Sequence, residues 1–309
     1  MDFHNFKMDY LKKRLPQIAK AQTGKDVSKL DFLGGGSYGR VFRATLSDGE
    51  SFVLKAYRRK GLHENEAFQL NLLSSHTTVP MPKVLFLYGD EDISVLAMSY
   101  IEGINVLDLR YLLKSTKAKK QFSESVVSGM LQWHSIKGEK FGYVQNPVYN
   151  SWYEFYKKEK IEPVLDFAKA KAEKGEFSKN ELQLLTKSTE LYERLGDEPQ
   201  EPVLIHGDLN IMNIMANPKT FELTGFIDPC GSMWANRDYD LYQLRNMWGD
   251  CYRLFETYKK NYSPSKNLDF RIAYYGAINE VCCFKDSGED MALWRGIWNH
   301  RLKKELKKY

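Results

Sequence analysis

No apolar run in this chain of 309 residues approaches the roughly 18 residues that a membrane span needs. Nor does the opening "MDFHNFKMDYLKKRLPQIAK" hold the uninterrupted apolar stretch and small-residue cleavage site of a secretory leader, so a cytoplasmic location is expected. Cysteine is scarce. Cys230, Cys251, Cys282 and Cys283 are the only four, none is in C-x-x-C spacing, and an adjacent pair makes a poor disulfide framework, so reduced thiols are expected. Internal repeats and low-complexity blocks are missing as well. A true charge excess is also lacking: the net charge is +5, but the final "RLKKELKKY" holds five cations against one acid. The rest of the chain is nearly neutral, which argues against a nucleic-acid partner, and the tail reads as the solvated end of a last helix. What the chain does have is 43% hydrophobic residues, enough for a large core in one two-lobed unit or two domains. A monomer or weak dimer without membrane contact is the expectation.

The texture of the sequence changes along its length. Phe3, Met8, Leu11, Leu15 and Ile18 recur at helical spacing and predict an amphipathic N-terminal helix. "KLDFLGG", "RVFRATLS" and "SFVLKAY" read as short strands, the last two joined at the Asp48-Gly49 hairpin signal. "HENEAFQLNLL" reads as a helix, and "KVLFLY" and "ISVLAMSYI" as two further strands around "GDED". After Gly103 the pattern is mostly helical, with candidate helices near 105–118, 121–136, 150–173, 178–195, 238–260, 268–286 and 289–307. The sequence therefore predicts an α+β chain of two lobes, 1–102 rich in strands and 103–309 mainly helical, with a ligand cleft between them.

Three stretches carry chemistry. "GGGSYGRV" places Gly34, Gly36, Gly39 and Val41 in G-x-G-x-x-G-x-V, with Ser37 inside the loop. A dinucleotide fingerprint would open a helix, whereas this loop turns into a second strand. A strand–glycine loop–strand hairpin is how kinases lay backbone N–H groups over a triphosphate. Lys55 lies fourteen residues after Val41 in the apolar strand "FVLKAY", where its ammonium is either at a strand edge or aimed at a phosphate. A carboxylate on the next helix is needed to hold it; Glu66 fits better than Glu64 because Leu73, seven residues on, ends the same apolar face.

The third stretch runs from "HGDLNIMN" to "IDP". Carboxylates among buried strands need a partner, a hydrogen bond or a metal. Asp208 and Asn213 have the five-residue separation of a kinase catalytic loop, and Asp228 follows fifteen residues after Asn213. In that order Asp208 meets an acceptor hydroxyl while Asn213 and Asp228 offer oxygen to Mg2+. His206 is read as pinning the loop by hydrogen bonds, and Asp240 as supporting it from a helix start. His63, His76 and His134 are read as isolated surface or packing residues, and the six tryptophans mainly as core.

These residues, with "MSYIEG", "DYDL" and "WYEFYKKEKIEP", resemble the aminoglycoside phosphotransferase and fructosamine kinase group of small-molecule kinases, over about residues 30 to 260. The resemblance implies a protein-kinase-like fold and ATP with Mg2+. It implies Lys55, held by Glu66, on the ATP phosphates, and adenine against the backbone of Met98, Ser99, Tyr100 and Ile101. Asp208 would be the catalytic base or hydroxyl-orienting acid. The acceptor would be a hydroxyl of a sugar, amino sugar or ketoamine, with choline- or ethanolamine-type and aminoglycoside acceptors as alternatives. Two features depart from the group: Asn210, Ile211 and Met212 fill the loop where fructosamine kinases commonly carry tryptophan and glycine, and the C-terminal end is basic rather than acid-rich. H-G-D in place of H-R-D, Asp-Pro in place of Asp-Phe-Gly, and only eleven residues from Asp228 to Asp240 argue against a protein kinase. A nucleotide-binding module without turnover would be expected to have lost Lys55, Asp208, Asn213 or Asp228, and all four are present.

Overall fold

The computed structural model describes residues 6–36, 38–109, 115–196, 201–262 and 265–309. Helix α1 (Met8–Thr23) buries Leu11, Leu15, Ile18 and Ala19 and ends at Gly24, whose φ of 74° suits a glycine C-cap. Phe3, assigned to the same amphipathic stretch, lies outside the described residues. Strands β1 (Val27–Gly35), β2 (Gly39–Leu46) and β3 (Ser51–Tyr57) lead to helix α2 (Leu62–Ser74) and to strands β4 (Val84–Gly89) and β5 (Ser94–Ser99). The strands form one antiparallel sheet in the order β1-β2-β3-β5-β4.

Alternation along β3 decides which way Lys55 points, because successive side chains face opposite sides of a sheet. Phe52, Leu54 and Ala56 join the core beneath α1, whereas Val53 and Tyr57 join the larger core that includes Ala67, Leu70 and Leu73 of α2. Lys55 falls on the second face, toward α2.

A two-residue strand β6 (Ile104–Asn105) and the one-turn helix α3 (Val106–Leu109) come after the sheet. Next are helix α4 (Thr116–His134), strand β7 (Gly142–Tyr143), and helices α5 (Trp152–Tyr156), α6 (Glu162–Glu173) and α7 (Lys179–Leu195). Short strands β8 (Val203–Ile205), β9 (Ile214–Ala216), β10 (Leu223–Phe226) and β11 (Met233–Ala235) interrupt the helices, as expected for the segment around Asp208. They build two small sheets, β10-β9-β6 and β7-β11-β8. Helices α8 (Asp238–Leu241), α9 (Leu254–Asn261), α10 (Leu268–Ser287) and α11 (Ala292–Leu306) complete the chain. This strand-rich N-terminal lobe and helical C-terminal part make a kinase-like α+β fold.

Three helices expected from periodicity came out differently. The stretch 105–118 opens with β6 and a single turn, and residues 110–114 lie outside the described residues. The stretch 150–173 contains a π turn over Lys157–Ile161. Pro163 has no N–H to reach Glu159, and Glu162 N bonds Lys157 O, five residues back. The stretch 238–260 breaks into α8, two 3-10 turns and α9, with φ of 47° at Met247, 67° at Trp248 and 56° at Arg253. The chain doubles back tightly there; a Cβ on Gly249 would lie 2.1 Å from Leu244 O. Apolar periodicity survived that break because both halves pack on the same core. Among the described residues no helix is long and apolar enough to cross a membrane.

Candidate active site

The β9–β10 hairpin brings the two ends of the acidic segment together. Ile214 pairs with Phe226, and Ile227 N donates to Asn213 O at 3.0 Å. Asn213 and Asp228 therefore leave the same end of one hairpin, fifteen residues apart in sequence. Asp228 takes a left-handed conformation with φ 58°, uncommon for a residue other than glycine and concentrated at functional sites.

Asp208 is gripped by side-chain amides. Asn210 Nδ2 and Gln243 Nε2 each donate to its Oδ1 at 2.9 Å, and Asn213 Nδ2 donates to its Oδ2 at 2.9 Å. Burial and the nearby Asp228 charge push its carboxyl up to about 7, against the pull of those donors. Gln243 Nε2 also reaches Gly207 O at 3.3 Å and the Tyr242 hydroxyl at 2.8 Å. Asp240 accepts from Gly207 N at 2.9 Å and holds His134 Nε2 at 3.2 Å, so it supports the loop as expected. His134, read as isolated, is a buried brace between Asp240 and the Tyr258 hydroxyl. His206 accepts from Asp208 N at 3.3 Å through Nδ1. Burial lowers its imidazole to about 4, so it acts there as a neutral acceptor.

Gly207 explains why this loop reads H-G-D. Its φ is 80°, and a Cβ would lie 1.9 Å from Gly231 O. The segment after Asp228 crosses the loop too closely for any side chain. Ser232 ties the same segment down, donating from Oγ to His206 O and from N to Gln69 Oε1 on α2.

Lys55 extends from β3 into this arrangement. Its Nζ lies 2.6 Å from Glu66 Oε2 and 2.8 Å from Asp228 Oδ1. The Tyr57 hydroxyl donates to the same Glu66 oxygen at 2.6 Å. Burial opposes the Lys55 charge, but Asp228, Cys230 and Glu66 carry its pKa well above the ordinary value. Burial raises the Glu66 carboxyl; at Asp228 burial also pushes upward, but the Lys55 ammonium and the hydrogen bonds from Cys230 and Lys55 together bring the carboxyl below its ordinary value. Glu64 stays outside this cluster.

The glycine loop closes over the lysine. A Cβ on Gly39 would meet Ala56 O at 2.9 Å and Lys55 Cε at 3.5 Å. Gly34 has φ 149°, and around Gly36 there is open space. Val41 is partly buried against the larger core and pairs across with Lys55. Ser37 lies outside the described residues. Arg40 braces the loop, donating to Gly36 O at 2.7 Å and Gly39 O at 3.0 Å. Met98 is buried in β5, Ser99 ends the strand, and Ser99, Tyr100 and Ile101 lead partly buried toward Gly103. Arg43 stacks on the Tyr100 ring at 4.2 Å.

Several participants escaped the sequence reading. Gly35 is the tightest glycine of the loop, since a Cβ there would lie 2.5 Å from Gly39 O, yet it is not a motif position. Tyr57 shares the Lys55 face two residues on, and Gln243 follows Asp240 by three, so both had a periodic signal. Cys230 had none beyond its neighbourhood: its thiol donates to Asp228 Oδ1 at 2.7 Å. Among other acids of the helical part that an amine-bearing acceptor could meet, Asp238 is buried and bonded by Ser265, and Asp286 pairs with Lys285. Glu289 is exposed, and Glu280 is buried, with its carboxyl pushed up to about 7. Trp133, Trp152 and Trp298 are core; Trp248 is 46% exposed and meets Trp294 edge-on at 4.6 Å.

The oxygens left over suit a hard cation. Asn213 spends its amide nitrogen on Asp208, leaving Oδ1, and Asp228 Oδ2 has no hydrogen-bond partner among the described residues.

The model of the fructosamine kinase family matches residues 11–287. In sequence the chain is 22% identical over 200 residues to the uncharacterized protein YcbJ of Escherichia coli K12, covering 62% of this chain and 65% of that protein. The chain thus spans about two thirds of the length of the curated relatives it matches. Among solved structures, a Thermobifida fusca protein assigned as a fructosamine-3-kinase superposes with a TM-score of 0.67 at 22% identity, covering 95% of this chain and 98% of the other. The aminoglycoside phosphotransferase APH(2")-IIIa with GDP and kanamycin gives 0.70 at 16% identity, covering 96% and 99%. Identities this low carry the fold alone.

Proposed function

The chain belongs to the fructosamine kinase family, and from that premise we propose that it is an ATP-dependent phosphotransferase acting on a hydroxyl of a small sugar, amino sugar or ketoamine. One observation carries the reading: the Asp208 carboxylate, fixed by three amides, stands on the loop whose hairpin partner delivers Asp228 to the Lys55–Glu66 pair. The division near Gly103 is part of the proposal, with 1–102 holding nucleotide and 103–309 holding acceptor. Gly103 supports a junction there, because its φ is 133° and a Cβ would lie 2.6 Å from Ala216 O.

Each residue has a task set by where it sits. Asp208 orients the acceptor hydroxyl and takes its proton on a carboxylate oxygen; a carboxyl near neutrality is suited to that exchange. Asn210, Asn213 and Gln243 fix the direction in which it points, so little reorganisation is left for the reaction. Lys55, steered by Glu66, leaves Asp228 for the α- and β-phosphates. The glycine loop, braced by Arg40, covers the phosphates and excludes water. Asn213 Oδ1 and Asp228 Oδ2 are the oxygens that would hold Mg2+. When bound, the ion neutralises charge on the β- and γ-phosphates. The backbone of Met98–Ile101 would receive adenine.

The test is a nucleotide-consumption screen with Mg2+ over sugars, amino sugars, aminoglycosides, ketoamines, choline and ethanolamine. ATP and GTP are run in parallel because one structural neighbour holds GDP. Acceptor-dependent release of nucleoside diphosphate is expected. Tight Mg–nucleotide binding with no turnover on any acceptor would instead support a non-catalytic nucleotide-binding module.

A further inference from the structure

Cys230 is exposed, yet it stands inside the charged cluster, and phosphotransfer gives its sulfur no task. Sγ lies 2.7 Å from Asp228 Oδ1 and 3.4 Å from Glu66 Oε2. The ligand atoms of Glu66, Asp228 and Cys230 all lie within 4.8 Å of one another. A cation already sits among them: Lys55 Nζ is 2.6 Å from Glu66, 2.8 Å from Asp228 and 3.9 Å from the Cys230 sulfur.

A tetrahedral zinc-class ion, with oxygen at about 2.1 Å and sulfur at about 2.3 Å, sets its ligand atoms roughly 3.4–3.6 Å apart. The 3.4 Å between Cys230 and Glu66 already matches. The contact between Cys230 and Asp228 has to widen by about 0.8 Å to reach that spacing, a shift within the reach of a rotation about the Cys230 Cα–Cβ bond. Charge is conserved in the exchange. Two carboxylates around one ammonium sum to one negative charge, and so do two carboxylates and a thiolate around a divalent ion.

We propose that Glu66, Asp228 and Cys230 form a second cation site, selective for thiophilic divalent ions of the zinc class, which the ion enters by taking the place of the Lys55 ammonium. As the sulfur–metal bond forms, the thiol proton passes to solvent and Lys55 keeps its own charge. Mg2+ does not compete for the sulfur, because hard cations prefer oxygen. An occupied site separates Lys55 from Glu66 and so removes the phosphate-binding lysine from its place. That inhibitory consequence rests on the phosphotransferase reading; the binding itself does not.

The test is a Cd2+ titration of the full chain in excess Mg2+, read by the ultraviolet sulfur-to-metal charge-transfer band. One equivalent per chain is expected, with the band lost in Cys230→Ser and affinity reduced at least about tenfold in Asp228→Asn. Circular dichroism matching the unaltered chain establishes that both variants are folded. No band, or a band undiminished in Cys230→Ser and therefore due to Cys251, Cys282 or Cys283, overturns the proposal. Where an acceptor is turned over, Zn2+ should inhibit and Cys230→Ser should resist it by at least about tenfold. A Cd2+ band that behaves as expected in a chain that transfers no phosphate leaves this site standing and removes only the kinase reading.

Discussion

Asp208→Asn should abolish transfer and, at alkaline pH, make the protein more stable. The Asp208 carboxyl is pushed up to about 7 in the folded chain, from an ordinary 3.8, by burial and by Asp228. A group with a raised folded-state pKa holds its proton in the native state after the unfolded chain has lost it. Stability therefore falls as pH rises from about 4 to about 7, and the loss is complete above that window. With about 1.36 kcal/mol for each pH unit, the linkage costs roughly 2 kcal/mol at pH 5 and roughly 4 kcal/mol at pH 8. The asparagine escapes this cost but introduces another. Its new NH2 replaces an acceptor oxygen and faces a donor, Asn213 Nδ2 or the Asn210–Gln243 pair, across 2.9 Å, which costs about 1–2 kcal/mol. The variant should thus be close to the unaltered chain at pH 5 and about 2–3 kcal/mol more stable at pH 8. Urea denaturation of both chains at the two pH values, with chelator and without nucleotide, measures the difference; other groups titrating in this range cancel in the comparison. Nucleotide affinity with Mg2+ should stay within a few-fold while turnover disappears. A stability difference that does not change between pH 5 and pH 8 would refute the buried-carboxylate argument.

Glu66→Ala leaves Lys55 with Asp228 as its one carboxylate partner among the described residues and the Tyr57 hydroxyl without its acceptor. The nucleotide KM should rise about 10- to 100-fold in steady-state kinetics, and an unchanged KM would mean that Glu66 does not position the lysine. Gln243→Leu removes one donor to Asp208 Oδ1 but touches nothing of the nucleotide side. It should lower kcat about tenfold with nucleotide KM unchanged; a loss confined to KM would place Gln243 elsewhere in the reaction. Gly207→Ala meets the Gly231 carbonyl at φ 80°. Thermal or urea unfolding should show a loss of at least about 3 kcal/mol, or no folded protein at all.

The features legible in the sequence and those hidden in it divide by a physical rule. Elements with one buried face were legible. The face of Lys55 on β3 is marked by Val53 and Tyr57, two residues to either side of it, and Glu66 is marked on α2 by Leu73, two turns along the same stripe. Spacing placed Asp208, Asn213 and Asp228 in one segment, and the β9–β10 hairpin supplies the reason fifteen residues suffice. The break-up of 238–260 was hidden, because residues on both sides of the left-handed turn at Met247 and Trp248 bury into one core and keep the helical period.

Backbone crossings were hidden too. A glycine in a motif advertises freedom of φ, but Gly207 and Gly35 are required by carbonyl oxygens of segments distant or unremarkable in sequence, Gly231 and Gly39. The same crossing bears on why the His206–Asp208 loop cannot carry arginine after its histidine. An arginine at 207 would need the turn at Gly231 to move away, and with it Ser232, whose bonds to His206 and to Gln69 tie the segment after Asp228 to α2. Glycine at 207, a short segment from Asp228 to Asp240, and a fixed Lys55–Glu66–Asp228 cluster are therefore one structural choice. It favours a site assembled by the fold over one that waits for a long activation segment to be ordered.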